Sequence, residues 1–338
     1  MTPSNFLLGA FSLSILRCIL LLFGVQATCV TVLEMRQEAN ATAPTNVTSK
    51  AGLAWPNGAT VSLTQFEGTG RVTYMVRLYY TWSTYPIDND IEFVPMFWGN
   101  RSISEWTNTA KRTLADMTPK VTAVLGMNEP ELPSQANLFV DEGVELWKLY
   151  VELLRAQGYR LGSPGLSSSS AGKAWLQDFI SSCNGCTVDF ISLHWYGTNV
   201  TLFQKHVEDY YTTFQKPLWV TEWACEDYVH PENICTLQDI ITFMNAMQTF
   251  LDGAGFVERY AWFGAQKNLT MVDSNNGIMD DNGVINDLGK QYINYTESVD
   301  EPIVTSLPTF TSGGLRSIPS VLLHMTSMIV LLSSVLSC

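Results

Sequence analysis

The sequence predicts an α/β fold, specifically a single (β/α)8 TIM barrel. Three observations carry that prediction. Eight short apolar, β-rich runs lie between residues 50 and 295. Helix-like segments separate several of them, and no linker-like composition divides the stretch. A barrel of this kind takes about 250 residues as one domain, which is the span available.

The runs are residues 52–55, 73–80, 91–98, 121–126, 160–162, 188–195, 217–221 and 259–263. Nearly continuous apolar runs suit strands covered on both faces, as in a parallel sheet. The first two runs are the least regular, and an open doubly wound sheet fits the same alternation. Between the runs, Val144, Trp147, Val151 and Leu154 share a helical face ending at Gly158, a residue suited to a left-handed C′ position. Ser102 with Glu105, and Thr236 with Asp239, have capping-box spacing ahead of apolar helical faces.

The ends of the chain have a different character. Residues 6–25 are apolar and lead to Val25-Gln26-Ala27, a small-residue cleavage pattern, so residues 1–27 are expected to be a signal peptide. Residues 28–50 are Thr/Asn-rich and expected to be disordered, residues 51–296 form the barrel domain, and residues 297–313 form a Ser/Thr/Pro-rich stalk. Residues 314–338 run from small residues through a polar spacer to an apolar tail at 321–336, the order of a glycosylphosphatidylinositol attachment signal. An uncleaved N-terminal anchor and a tail-anchored helix are the competing readings. Six acceptor sequons, at Asn40, Asn46, Asn100, Asn199, Asn268 and Asn294, agree with a secreted, cell-surface protein. In that oxidising setting Cys183, Cys186, Cys225 and Cys235 are expected to form disulfides. Four cysteines allow three pairings, of which the local ones, 183–186 and 225–235, are the simplest.

Composition removes several function classes. Hydrophobic residues make up 46% of the 338, enough for a sizeable core, while 32 Asp+Glu against 19 Lys+Arg disfavour a phosphate backbone as partner. Four histidines without a His/Asp/Glu cluster at ligand spacing argue against a catalytic metal. No phosphate loop, G-X-S-X-G elbow or dinucleotide fingerprint occurs, so no cofactor is expected.

Active sites of such barrels lie at the C-terminal ends of the strands. The fourth run leads into Asn128-Glu129-Pro130 and the seventh into Thr221-Glu222-Trp223. One Glu at each of two strand ends is the equipment for cleaving a glycosidic bond. One carboxyl group protonates the leaving oxygen while the other, ionised, attacks or stabilises the anomeric centre. Neighbouring carboxylates resist ionising together, which raises the pKa of one of them. A lone Glu after a strand is usually an ordinary loop carboxylate; two at matching ends reverse that reading. Asn128 is placed to bond a sugar hydroxyl. Trp82, Trp98, Trp195, Tyr196, Trp223 and Trp262 are candidates for packing on sugar faces, with at least two of the six expected to be structural. His194 could orient a carboxylate or bind a hydroxyl.

The segments PMFWG (95–99), LGMNEPE (125–131), RLGSPG (160–165), WLQDF (175–179), VDFISLHWYG (188–197) and KPLWVTEWAC (216–225) form an ordered set over roughly residues 50–290. The set resembles glycoside hydrolase family 128, the fungal glycosyl hydrolase catalytic core family of alkali-sensitive linkage proteins and endo-β-1,3-glucanases. The resemblance implies a retaining mechanism on a (β/α)8 fold, with Glu129 as acid/base and Glu222 as nucleophile. Met127, Glu131 and Trp223 stand where Phe, Asp and Phe are common, which bears on subsite preference. The expected partner is a β-glucan polysaccharide or oligosaccharide acted on by a monomer. Two other functions fit the same residues: a glucan-remodelling transglycosylase and a non-catalytic β-glucan-binding surface protein.

Overall fold

The apolar runs fold as parallel strands. The computed structural model describes residues 50–66, 78–87, 91–110, 114 and 121–293. Its strands are β1 (Ala51–Ala54), β2 (Leu78–Tyr80), β3 (Glu92–Phe93), β4 (Ala123–Val124), β5 (Arg160–Leu161), β6 (Ile191–Tyr196), β7 (Leu218–Ala224) and β8 (Val257–Trp262). Six of them form one parallel sheet in the order β3-β2-β1-β8-β7-β6, and β4 pairs in parallel with β5. Isolated parallel bridges join Met96 to Leu125 and Gly162 to Phe190, flanking the β4–β5 pair on both sides. The molecule is therefore an α/β fold on parallel strands.

Strands covered on both faces explain the unbroken apolar runs. Ala54, Leu78, Val94, Ala123, Phe190 and Trp219 belong to one buried cluster, fed by strands from across the sheet and the β4–β5 pair. The opposite strand faces pack on helices in a larger cluster. The helices are α1 (Ile103–Glu105), α2 (Val140–Leu146), α3 (Ser170–Ser182), α4 (Val200–Phe214), α5 (Leu237–Gly253) and α6 (Asp287–Tyr292). Ser169, Asn199, Thr236 and Asn286 each cap one by accepting a backbone N–H.

Several expectations need adjustment. The Thr236–Asp239 capping box forms, but Ser102–Glu105 does not. Ser102 Oγ bonds to Gly99, and Glu105 instead accepts from the backbone N–H (2.6 Å) and hydroxyl (2.8 Å) of Thr84. The helical face after residue 140 continues from α2 through one wide and one tight stretch of turns before ending at Gly158, at φ 90°. The seventh run extends to Ala224, so Glu222 lies inside β7 rather than after it. Both local disulfides, Cys183–Cys186 and Cys225–Cys235, are present. The expected leader, lead-in, stalk and C-terminal signal lie outside the described residues, apart from Lys50 at the end of the lead-in. So do Asn40, Asn46, Asn294 and the first part of the second run.

Candidate active site

Alternation along a strand decides which side chains meet. On β6, His194 and Tyr196 point to one side and Trp195 to the other; on β7, Glu222 shares the side of His194. Glu129, on the turn after β4, completes the group. Both carboxyl groups are buried, at 6% and 5% exposure, so each interaction there is far stronger than in water.

The geometry is tight. His194 Nδ1 lies 2.8 Å from Glu129 Oε1 and 3.5 Å from Glu222 Oε2. Tyr196 OH donates to Glu222 Oε2 at 2.6 Å, and Trp82 Nε1–H donates to Oε1 at 2.8 Å. One polar atom each from Glu129, His194 and Glu222 falls within 4.8 Å of the others. Glu129 and Trp82 both adopt left-handed backbone, at φ 41° and 53°. Such conformations are uncommon outside glycine and persist where the surroundings impose them. For Glu129 the constraint is visible: its N–H donates to the Gly165 carbonyl (2.7 Å), and its carbonyl accepts from Leu132 N–H (3.0 Å). A Cβ on Gly165 would sit 2.9 Å from His194 Nε2, so only glycine lets this loop close over the imidazole.

Charge follows from the geometry. Burial pushes the Glu222 carboxyl above the ordinary carboxylate range, and the Glu129 charge adds to this; His194, Tyr196 and Trp82 oppose both. Burial alone would lower His194, but the Glu222 and Glu129 carboxylates outweigh it and raise the imidazole to about 9. His194 is thus a cation at neutral pH, with no lone pair to offer. Glu129, His194 and Glu222 could otherwise hold a metal ion. Hydrogen bonds already engage both Glu222 oxygens and Oε1 of Glu129, an arrangement that fits proton chemistry better than metal ligation.

A cleft of about 790 Å³ opens over the carboxylates. Trp82, Trp98, Asn128 and Tyr196 line it as expected. Arg101 covers one face of Trp98 at 4.5 Å. Asn128 donates through Nδ2 to Gln135 Oε1 at 3.2 Å. His194 lies beneath the floor, wholly buried and bonded to Glu129 rather than exposed to a ligand. Three expected sugar platforms are core residues instead. Trp195 stacks on Phe203 at 5.0 Å, and Trp223 meets Trp262 edge-on at 4.6 Å. Trp262 further donates to the Asn276 carbonyl. Trp195 and Trp223 adjoin His194 and Glu222 in sequence, and the pleat turns immediate neighbours away. The cleft also uses residues the sequence reading passed over: Phe263 directly after β8, Tyr228 in the Cys225–Cys235 loop, Gln135, and the serine run 167–169 after β5. All follow strand ends, which is the signal that could have found them.

A family model described as glycosyl hydrolase catalytic core matches residues 52–292. The chain belongs to that family. Glycosyl hydrolase catalytic core relatives agree with the assignment. Alkali-sensitive linkage protein 1 of Schizosaccharomyces pombe is 30% identical over 256 residues, covering 73% of this chain. The match takes in 45% of that longer protein, so the chain spans about half its length. Among solved structures, a Sorangium cellulosum GH128 endo-β-1,3-glucanase matches at TM-score 0.61 and 26% identity, over 74% of this chain and 99% of that one. A curdlan-specific GH128 exo-β-1,3-glucanase from Blastomyces gilchristii, in complex with glucose, matches at 0.58 and 28%, over 72% and 97%. An Amycolatopsis mediterranei GH128 endo-β-1,3-glucanase variant in complex with laminaripentaose matches at 0.57 and 27%, over 72% and 98%. By family the chain is a glycoside hydrolase, and both endo- and exo-acting enzymes are among its neighbours.

Proposed function

We propose that the chain cleaves β-1,3-glucan by a retaining double displacement, with Glu222 as nucleophile and Glu129 as acid/base. The observation that carries the reading is the close approach of the two carboxyl groups at the floor of one cleft. Retaining enzymes hold the pair about 5–5.5 Å apart, whereas inverting ones leave about 6.5–9.5 Å for a water between them. Donors on both Glu222 oxygens stabilise its anion. That suits Glu222 to attack and leaves the acid/base role to Glu129. His194 bonds to Oε1 of Glu129, leaving Oε2 to carry the proton toward the leaving oxygen.

In the first step Glu222 bonds to the anomeric carbon, the glycosidic C–O bond breaks, and the Glu129 proton goes to the departing oxygen. In the second, Glu129 takes a proton from water, whose oxygen displaces Glu222 and restores the starting anomer. Trp82 and Tyr196 release hydrogen-bonded charge as the covalent ester forms and recover it on hydrolysis. The substrate class rests on the β-1,3-glucanases to which the chain is similar and on the aromatic lining of the cleft. Pairing of all strand neighbours through the two bridged seams supports a closed (β/α)8 barrel within residues 51–296. The leader-like N-terminus, the anchor-like C-terminus, the sequons and the two disulfides support work at a cell surface.

The test uses laminari-oligosaccharides and NMR of the first product formed. β-anomer released first is the expected result, with turnover lost in Glu222→Gln. A first product of α configuration overturns the retaining assignment, and absence of turnover on every β-1,3-linked polymer overturns the substrate.

A further inference from the structure

A groove of about 510 Å³ lies apart from the cleft, between the start of α4, the Cys225–Cys235 loop and the first turns of α5. Its walls mix apolar and polar groups. Cys225, Cys235 and Phe243 supply a buried base, Ile234 stands 64% exposed on the rim, and Asp239 and Thr242 offer oxygen atoms. An open groove that is half apolar and half hydrogen-bonding suits a sugar better than a peptide side chain or a lipid: sugar rings present apolar C–H faces edged by hydroxyls.

The chain carries its own attachment point there. Asn199-Val200-Thr201 is a glycosylation sequon, and both residues flanking Asn199, Thr198 and Val200, line the groove. Asn199 is exposed and caps α4 by accepting from Leu202 N–H at 3.0 Å through Oδ1. The cap therefore uses the oxygen and leaves Nδ2, the atom that bonds to a glycan, outside the capping bond.

From this we infer that Asn199 is N-glycosylated and that the first sugars of its glycan lie in this groove, covering the outer side of the disulfide loop. The loop's inner side carries Tyr228 and Val229, which line the cleft. The glycan would thereby brace one wall of the cleft from behind.

The test expresses the full chain in a eukaryotic secretory host and reads peptide masses and thermal unfolding. Thr201→Ala removes the sequon and keeps the Asn cap, and Thr201→Ser keeps both. Thr270→Ala removes the exposed sequon at Asn268 as a control. The expected result is a glycan on Asn199 in wild type and Thr201→Ser. Thr201→Ala should melt about 2–4 °C lower, with Thr270→Ala unchanged. An unmodified Asn199, a Thr201→Ala variant melting with wild type, or an equal loss in Thr270→Ala overturns the inference. Laminarin hydrolysis by the same preparations reports separately on the glucanase reading.

Discussion

At the scale of single residues, the site is a balance of charges in a dry pocket, and two predictions follow from its signs. Tyr196 donates to Glu222 Oε2, favouring the ionised nucleophile. Tyr196→Phe removes that donor, so the Glu222 pKa rises further and the acid limb of the kcat/KM profile moves to higher pH. A hydrogen bond to a charged group contributes about 1.5–3 kcal/mol, so kcat/KM should fall about 10- to 100-fold. Rates across pH 4–8 check both. His194 tests the opposite sign. Its folded pKa, about 9, lies above its unfolded value of 6.5. The stability it contributes is therefore fully present below 6.5 and lost as pH rises toward 9, with a ceiling of about 3 kcal/mol. Urea unfolding at pH 6, 7.5 and 9 should show this decline in wild type and a flatter, lower curve in His194→Gln. Equal slopes would mean that the imidazole is neutral in the folded state. Glu129 and Glu222 were legible because a carboxylate stands out after an apolar run. The hydrogen bonds of Trp82 and Tyr196 were not, because the two donors come from parts of the chain far apart in sequence.

At the scale of elements, legibility tracks how local the cause is. The Thr236–Asp239 cap and the stop at Gly158 depend on a few adjacent residues, and both form as read. The Ser102–Glu105 box has equally good spacing, yet Thr84, distant in sequence, captures Glu105. Tyr228 follows the end of β7, but contacts distant in sequence fix where its ring lies. Its ring lies 5.1 Å from Tyr196, and its hydroxyl bonds to the Met271 carbonyl. This loop gives an element-scale prediction. Replacing both Cys225 and Cys235 by Ser releases a loop closed over ten residues and should cost about 2–3 kcal/mol. With Tyr228 freed, KM for laminari-oligosaccharides should rise more than kcat falls. A kcat loss without a KM change would mean that the loop serves the carboxylates rather than the substrate. Glu131 ties two further loops together, accepting from Ser167 N–H at 2.8 Å beside the serine wall of the cleft. Burial holds its carboxyl above the ordinary range. Glu131→Gln keeps an acceptor for that N–H and should retain most activity, whereas Glu131→Ala should loosen the wall and raise KM several-fold.

At the scale of the whole molecule, a ring differs from an open sheet at the two bridged seams, and the one at β5–β6 offers a direct test. There Gly162 bridges to Phe190, whose ring stacks on Trp219 at 4.0 Å inside the strand cluster. A Cβ on Gly162 would lie 2.5 Å from two ring carbons of Phe190, so the ring occupies the space a side chain would need. In an open sheet, this edge could move apart and accept alanine cheaply. In a closed ring it cannot, because β4 and β7 hold the seam from both sides. Gly162→Ala should therefore cost about 1–3 kcal/mol, the usual range for overpacking a core. Phe190→Leu frees part of the space, so the double variant should lose less than the two single losses added, with a coupling of about 1 kcal/mol or more. Urea unfolding of the four proteins measures that cycle. Strict additivity, or a Gly162→Ala variant within about 0.5 kcal/mol of wild type, is the behaviour of a sheet with a free edge, and either would overturn the closed barrel.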